Sequence, residues 1–328
     1  MRPRRDPGRR GPSVLPGGRI AFASLTSNLN IWSLQIDANR GKVNGEPQKL
    51  THAAYDAHTS LSADGRKLVF ISSRSGNPDV WLKDLVTGKE TALTATTASE
   101  EQPDITPDGA RVSYLVAEGP SKYIYVVGAG GGLPEKVCEA CGRPWDWSPD
   151  GKYILFAPVP RPRMELGLLE VSTRRKIDFF QHPQYNLARA RFSPDGRWIS
   201  LVAREDPSGS RIAVLPFHGE APPAEDSLIF ITEATTHHNK PRWSPDGNLL
   251  YYTSDRDGFR CIYARRLEPA TKRPIGEPLD VYHSHSARRS LLNAGILFME
   301  ISLGPDRLVF NLGELSGNIW MARPELQK

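Results

Sequence analysis

A short turn motif recurs along the chain, and its spacing constrains the fold more than any other feature. Five copies consist of Ser or Thr, then Pro or Ala, then an Asp-Gly pair. Successive turn aspartates are 44, 42, 45 and 51 residues apart, at Asp64, Asp108, Asp150, Asp195 and Asp246. A repeat of about 40–50 residues with several strands per unit is typical of a β-propeller. The chain is therefore predicted to be all-β.

Each repeat contains the parts of one propeller blade. In the first well-formed copy, residues 58–61 approach the turn, 67–71 form an apolar strand and 79–82 form a third strand. Residues 90–94 complete the blade as a fourth strand. Asp suits the tight turn because it bonds its own backbone, and Gly because it adopts positive φ without a Cβ clash. The near-continuous apolar runs predict strands that neighbouring blades cover on both faces.

The number of units predicts the number of blades. Degenerate turns at residues 15–18 and 303–306 bring the units to seven, so a seven-bladed propeller is predicted, with six blades as the alternative. The first unit has a candidate inner strand at 12–15 and a third strand at 31–32. The last unit has a third strand at 319–320 and ends after 322 without a clear fourth strand. The ring would then close with a three-stranded last blade, or with a rearranged one that borrows the N-terminal segment.

Basic charge is concentrated in a short N-terminal tail. Residues 1–11 contain five Arg and one Asp, a net charge of +4, which leaves +1 for the rest of a chain whose total is +5. Because nucleic-acid binding needs a basic surface, no nucleic-acid partner is predicted. The tail has almost no apolar residue and is predicted to be disordered. Residues 12–328 are then a single propeller domain, either a monomer or part of a larger multidomain parent.

No segment has the composition of a membrane span or a signal peptide. The chain lacks a run of about 18 apolar residues, and Gly11-Pro12-Ser13 stands where the apolar region of a signal peptide would follow the Arg cluster. As written, the chain is expected in the cytoplasm, or in the periplasm if it derives from an exported or membrane-tethered parent. Its three cysteines make no disulfide framework, and Cys138 and Cys141 are expected to be reduced in a loop.

The repeats resemble those of a known propeller family. Ser-Pro-Asp-Gly, a basic residue, an apolar strand, a Ser-x-x-Gly loop and Ile-Trp or Ile-Tyr are similar to TolB-type, WD-like repeats over almost the whole chain. Residues 19–24 and 30–34 also resemble propellers at the C-terminal end of bacterial Ser/Thr kinases and winged-helix regulators. The resemblance implies a non-enzymatic module for protein interaction or sensing, which binds a partner at the mouth of its channel.

The sequence contains no motif that identifies a catalytic site. The Asp-Gly turns lack the Thr-Trp that follows in the Asp boxes of glycoside-cleaving propellers, and the Gly-rich residues 128–132 lack phosphate-loop spacing. G-x-S-x-G, H-E-x-x-H and G-x-x-x-x-G-K-[ST] do not occur. Enzymatic activity is therefore uncertain. The alternatives to a binding module are a metal-dependent carbohydrate (uronate) lyase and the accessory propeller of a peptidase-type hydrolase.

Histidines concentrate in one kind of connection, which joins a fourth strand to the next inner strand. Seven of the eight fall there: His52, His58, His182, His237, His238, His283 and His285. In a propeller these connections gather on one face around the channel. His, Arg and Lys there would donate hydrogen bonds to a protein or peptide. The predicted partner-binding rim consists of His58, Arg143, Trp145, Tyr185, Arg189, His237, His238, Lys240 and Arg288.

The same distribution allows two other interpretations. Polar loops collect histidine without any ligand, which is the structural explanation. Alternatively, a divalent metal binds at the channel mouth, since imidazole suits zinc, manganese and nickel. The candidate metal ligands are His237, His283 and His285. No other cofactor is predicted.

Overall fold

Antiparallel β-sheet makes up nearly all of the structure. The computed structural model describes residues 13–15, 19–53, 55–119, 121–158, 165–205 and 209–322. Two short 3₁₀ helices interrupt the strands, at Glu225–Ser227 and Leu292–Ala294. None of the described helices has the length and apolar character needed to cross a bilayer. The basic tail predicted over residues 1–11 lies outside the described residues.

Five sheets have four strands each and are numbered here in chain order. Sheet 1 contains Asp56–Leu61, Lys67–Ser72, Asp79–Asp84 and Glu90–Ala92. Sheet 2 contains Glu100–Ile105, Arg111–Glu118, Ser121–Gly128 and Glu135–Glu139. Sheet 3 contains Cys141–Trp147, Tyr153–Pro158, Leu166–Glu170 and Arg175–Phe180. Sheet 4 contains Asn186–Phe192, Trp198–Glu205, Gly209–Pro216 and Ile229–Phe230. Sheet 5 contains His238–Trp243, Leu249–Ser254, Cys261–Leu267 and Pro274–Tyr282.

A further sheet, called the shared sheet below, contains strands from both ends of the chain. Its strands are Ser13–Leu15, Arg19–Asp37, Lys42–Val43, Gln48–Lys49, Arg289–Ser290, Ile301–Leu303 and Arg307–Ala322. The two long strands pair antiparallel, from Ile20 opposite Ala322 to Gln35 opposite Arg307.

The first and last repeat units therefore share one sheet. Trp32, in the third strand predicted for the first unit, pairs with Phe310 of the last unit. Ile319 and Trp320 were predicted as a separate third strand, but they continue the strand Arg307–Ala322 because no turn interrupts it. Seven separate four-stranded blades are thus not present among the described residues, and the predicted blade number is not confirmed. Of the two predicted closures, the structure has the rearranged one that uses the N-terminal segment.

The innermost strands of the six sheets contact one another in a closed cycle. Their order is 56–61, 100–105, 141–147, 186–192, 238–243, 301–303 and back to 56–61. Sheets that stand side by side around an axis in this way form a β-propeller. The predicted fold class, an all-β propeller, is confirmed.

Apolar side chains pack between neighbouring sheets and hold them together. Leu155 of sheet 3 and Leu201 of sheet 4 belong to one buried cluster, and Tyr251 of sheet 5 packs with Phe310 of the shared sheet in another. Burying a side chain of this size contributes about 1.5–3 kcal/mol. The strand Lys67–Ser72 is buried along almost its whole length, as its apolar run predicts.

The repeated turn closes each inner hairpin through a local hydrogen-bond set. Asp64 Oδ1 accepts hydrogen bonds from Ser62 Oγ at 2.6 Å and from Arg66 N at 3.0 Å. Gly65 has a φ of 70°, which a side chain would disfavour. The bond from Ser62 is the main cause of the lowered pKa of Asp64. These motifs are therefore tight turns that close β-hairpins, as predicted.

The Cys-Glu-Ala-Cys pair differs from its prediction. The structure joins Cys138 and Cys141 in a disulfide, with the Cα atoms 5.9 Å apart. Cys138 is the penultimate residue of the fourth strand of sheet 2, and Cys141 begins the inner strand of sheet 3. The short connection between two sheets brings the thiols together, so the predicted reduced pair is corrected. Cys261, the third cysteine, is free and buried.

Candidate functional site

Two layers of residues from the inner strands line the propeller axis. They stand six and four residues before the turn aspartate of each repeat. The first layer, called the plug layer, consists of His58, Gln102, Pro144, Arg189, Lys240 and Glu300. The second, called the cavity layer, consists of Ser60, Asp104, Asp146, Arg191, Arg242 and Ser302. Equivalent positions in a ring of sheets converge on the axis, so residues far apart in sequence become neighbours.

A β-bulge or irregularity in the inner strand shapes the plug-layer positions of sheets 1 to 5. The pairing register shifts between Ala57 and Ser60 in sheet 1, and at the same place in sheets 4 and 5. His58, Arg189 and Lys240 take left-handed φ values of 52°, 58° and 56°. Such conformations are uncommon for residues with a side chain, and bulges re-aim side chains near functional sites.

Glu300 is the centre of the plug layer. Its Oε1 lies 2.5 Å from Lys240 Nζ and 2.9 Å from Arg189 Nη1. Its Oε2 lies 3.2 Å from Arg242 Nη2 and 3.6 Å from Arg191 Nη2. One buried carboxylate thus faces four cations. Lys240 is fully buried, and Arg189 and Glu300 are nearly so, so this end of the axis is filled with protein.

The plug layer holds its groups in unusual protonation states. Burial alone would raise the pKa of Glu300, but Lys240, Arg189 and Arg191 together lower it to about 2. Burial lowers the pKa of His58 to about 3, and the nearby cations add to that effect. Burial and Arg189 also lower the pKa of Lys240 well below its usual range. Glu300 is therefore an anion, and His58 a neutral imidazole, at neutral pH.

The cavity layer surrounds an open space at the turn end of the axis. All six of its residues line a cavity of about 210 Å³. The apolar part of its lining consists of the buried Trp147, Phe192 and Trp243 and of the more exposed turn prolines Pro107, Pro149 and Pro194. By contrast, the space beside His58, Gln102 and Glu300 in the plug layer is only about 20 Å³. The axis is therefore closed at one end and open at the end where the repeated turns lie.

Mixed charges line the floor of this cavity. Arg191 Nη1 lies 3.4 Å from Asp104 Oδ1 and 3.5 Å from Asp146 Oδ1, and Ser60 Oγ donates a 2.8 Å hydrogen bond to Asp104. Burial raises the pKa of Asp104 to about 6, despite the opposing effect of Arg191. Burial, and then the charge of Asp104, raise the pKa of Asp146 well above its usual value. The two carboxyls thus take up protons more readily than isolated ones would.

Several buried polar atoms in the two layers lack a protein partner. Among the described residues these include His58 Nδ1, Gln102 Oε1, Asp104 Oδ2 and Arg191 Nε. Buried polar groups normally have a hydrogen-bond partner, and a missing one is costly. Of these residues, Asp104 and Arg191 line the cavity.

The structure divides the predicted rim. His58, Arg189 and Lys240 meet at Glu300, and Trp145 lines the same narrow space. Arg143 contributes positive charge near His58 and Arg189.

The remaining predicted rim residues lie elsewhere. Tyr185 accepts a hydrogen bond from Arg211, His238 packs on Tyr252, and His237 and Arg288 are exposed. The histidine-bearing connections therefore do not form one continuous set of contacts among the described residues.

Two of the three predicted metal ligands lie together in sheet 5. His283 and His285 form a group with Asp257 and Cys261, whose ligand atoms all lie within 4.8 Å of one another. His237 lies outside this group of described residues. Its backbone carbonyl accepts a 3.3 Å hydrogen bond from Asp255 N, and its side chain is exposed.

Most of the residues that give the axis its chemistry were not predicted from the sequence. Arg191, Asp104 and Asp146 stand on inner strands, Glu300 directly precedes one, and none of the four matches a motif. A signal was available, because charged residues recur at the same two offsets before the turn aspartates. Charged residues at the same position of several otherwise apolar strands indicate that these strands place polar side chains around a common axis.

Comparison with solved structures identifies the fold more closely. A putative TolB from Agrobacterium tumefaciens matches with a TM-score of 0.62 and 16% identity, over 78% of this chain and 89% of that one. TolB from Acinetobacter baumannii matches with a TM-score of 0.57 and 16% identity, over 76% of this chain and 65% of that one. The tricorn protease matches with a TM-score of 0.54 and 15% identity, over 82% of this chain and 25% of that one. At these identities the likeness is one of fold, and the chain has the TolB-type β-propeller fold predicted from its repeats.

Sequence comparison adds one partial relative. No protein-family model matches the chain. A putative Tricorn-like protease C-terminal subunit from Sulfurisphaera tokodaii is 29% identical over 129 residues. That match covers 39% of this chain and 13% of the relative, so the chain spans a small part of that protein's length.

Proposed function

We propose that the protein is a non-enzymatic binding module whose axial cavity receives a protruding segment of a partner protein. The observation that carries this proposal is the asymmetry of the axis. Glu300 and its cations fill one end, whereas the cavity layer leaves about 210 Å³ open at the turn end. A partner can therefore enter from one side only.

The proposal includes a six-bladed ring in which the shared sheet is the sixth blade. The cyclic contacts of six inner strands support it. Within the shared sheet, Ile301–Leu303 pairs with Arg307–Ala322, which pairs with Arg19–Asp37, which pairs with Gln48–Lys49. That order gives one four-stranded path from the axis outwards, as in sheets 1 to 5. Pairing of N-terminal and C-terminal strands in one blade would hold the ring of sheets closed.

The lining of the cavity defines the kind of segment it would accept. A volume of about 210 Å³ is below the ~300–1,000 Å³ of typical small-molecule pockets. It suits one or two side chains at the tip of a loop or at a chain end. Asp104, Asp146, Arg191 and Arg242 offer both charges in the lining, and Trp147 and Trp243 add aromatic surface to it. Aromatic and Arg residues are the ones that anchor protein interfaces.

The experiment blocks the mouth without changing the buried network. Ala63 is exposed and lines the cavity, so Ala63→Trp would fill the entrance. Ala110 is an exposed alanine of the next turn that does not line the cavity, so Ala110→Trp is the matched control. The immobilised protein would be used to capture partners from an extract of the organism that encodes it.

We expect the wild-type protein and Ala110→Trp to capture the same partner in equal amounts. Ala63→Trp should capture at least ten-fold less of this partner. Equal capture by all three proteins would remove the cavity from the proposal. Equal melting temperatures of the three would show that the change lies in binding and not in folding.

A second candidate function is the accessory propeller of a peptidase-type hydrolase. The partial match to a Tricorn-like protease subunit and the fold match to the tricorn protease favour it. In that case the captured partner would be a hydrolase, and adding the propeller would change the size of peptide it cleaves. No observation favours a uronate lyase, since His58 is the one histidine of the two axial layers.

A further inference from the structure

We propose that sheet 5 carries a zinc site made by Asp257, Cys261, His283 and His285, separate from the axial cavity. Nitrogen, sulfur and oxygen donors in this combination are those that Zn²⁺ prefers. The site goes beyond the binding function proposed above and does not depend on it.

The four ligands come from two neighbouring connections of one sheet. Asp257 lies in the loop between the second and third strands, and Cys261 is the first residue of the third strand Cys261–Leu267. His283 and His285 follow directly after the fourth strand Pro274–Tyr282. The hydrogen-bonded ladder between these strands sets the relative positions of both connections. The site is therefore built by local pairing and does not require the ring to close.

The distances between ligand atoms fit a tetrahedral metal. Asp257 Oδ2 lies 2.9 Å from His285 Nε2, 3.3 Å from His283 Nδ1 and 3.7 Å from Cys261 Sγ. His283 Nδ1 and His285 Nε2 are 3.4 Å apart. A tetrahedron with metal–nitrogen and metal–oxygen bonds of about 2.0–2.2 Å has edges of about 3.3–3.6 Å, and the longer metal–sulfur bond extends the edge to sulfur. Small side-chain shifts would place all four atoms around one ion.

Neighbouring groups hold the ligands in metal-binding orientations. His283 Nε2 lies 3.4 Å from Asp280 Oδ1, so Nε2–H can donate to this carboxylate when Nδ1 binds the metal. Such a carboxylate–histidine–metal arrangement is typical of zinc sites. The ring of His285 stacks on Phe259, with centroids 4.5 Å apart. Phe259 N donates a 3.1 Å hydrogen bond to Asp257 Oδ1, which turns Oδ2 towards the site.

The ligand count indicates a structural role. Four protein ligands fill a tetrahedral zinc site and leave no position for a substrate or a water. The ion would fasten the loop around Asp257 to the connection after Tyr282. It would thereby stiffen one outer corner of sheet 5, and we expect its removal to leave the axial cavity unchanged.

The test uses zinc alone as the probe. The full chain, stripped with a chelator and then incubated with excess ZnCl₂ and desalted, should retain one zinc per chain by elemental analysis. His285 is exposed, so His285→Gln should fold normally and lose the bound zinc. Asp280→Asn should bind zinc about 10-fold more weakly. His237→Gln is the matched control, because this histidine was a sequence candidate outside the group, and it should retain zinc like the wild type.

Two further readouts separate this site from chance binding. Excess zinc should raise the melting temperature of the wild type by about 5 °C and that of His285→Gln by none. Cobalt in place of zinc should give a sulfur-to-cobalt charge-transfer band that is absent in Cys261→Ser. The proposal fails if the wild type retains no zinc, or if His285→Gln and His237→Gln retain equal amounts.

Discussion

The plug layer and the cavity layer stand two residues apart on the same six strands, yet one closes the axis and the other leaves it open. In the plug layer, Lys240 and Arg189 reach Glu300 across the axis. In the cavity layer, Ser60 and Ser302 are too short to meet, so a cavity remains beside Asp104 and Arg191. The two layers share their strands, but His58, Gln102, Arg189 and Lys240 of the plug layer also take left-handed backbone conformations. The bulge together with the length and charge of single side chains therefore decides where this propeller axis is open.

The largest expected effect comes from removing the carboxylate at the centre of the plug layer. Glu300→Gln keeps the side-chain size but leaves Lys240, Arg189 and Arg242 buried without a counter-charge. Breaking a buried ion pair on one side costs about 3–5 kcal/mol, and urea unfolding at pH 7 should show a loss of this size. Glu314→Gln, which affects the partly exposed pair with Lys49, should cost about 0–1 kcal/mol. Equal losses in the two variants would contradict the central position of Glu300.

His58 should make the fold sensitive to acid. Its folded pKa is about 3, below its ordinary value of 6.5. Between these values the unfolded chain binds a proton that the folded protein excludes, so stability falls as the pH drops. At about 1.4 kcal/mol per unit, His58→Gln should recover about 2–3 kcal/mol at pH 4.5 relative to pH 7. Urea titrations of both proteins at the two pH values measure this difference in the free energy of unfolding. An unchanged pH dependence would contradict a buried neutral His58.

Asp104 in the cavity layer should change the pH dependence of stability in the direction opposite to His58. Its folded pKa is about 6, above its ordinary value of 3.8. Between these values the folded protein binds a proton that the unfolded chain releases, so stability rises as the pH drops below about 6. Asp104→Asn should remove about 2 kcal/mol of this gain between pH 7 and pH 4.5. His58→Gln and Asp104→Asn thus change the slope of stability against pH with opposite signs, and slopes of equal sign would break the comparison between the layers.

The smallest effect is expected from replacing the buried lysine. Lys240→Met keeps an unbranched side chain and leaves Arg189, Arg191 and Arg242 to pair with Glu300. Replacing a buried ion by an apolar group of similar volume is often nearly neutral, so unfolding should change by about 1 kcal/mol or less. A loss as large as that of Glu300→Gln would show that Lys240 is the essential partner of the carboxylate.

The sequence predicted the fold class through local signals. Asp64 and its equivalents mark hairpins whose bonds span two to five residues, so the turn and its strands can be read from a short window. The shared sheet could not be read in this way, because Trp32 pairs with Phe310 from the other end of the chain. Pairing at that separation depends on the closure of the whole ring and leaves no local pattern.

The candidate site was partly predictable for the same reason. His58, Arg189 and Lys240 were predicted as rim residues because polar residues cluster before the inner strands. Their buried meeting at Glu300 depends on three-dimensional closure and was not predicted. His283 and His285 were predicted together, while Asp257 and Cys261 were missed, because the ladder of sheet 5 brings two separate connections side by side.

Site-specific photo-crosslinking tests the asymmetry of the axis most directly. A photoreactive amino acid would replace Ala63 at the mouth of the open cavity in one protein, and exposed His237, which precedes an inner strand at the opposite end, in another. With the captured partner present, we expect an adduct from position 63 and none from position 237. An adduct from position 237 alone would contradict the account and place the partner on the histidine-bearing connections.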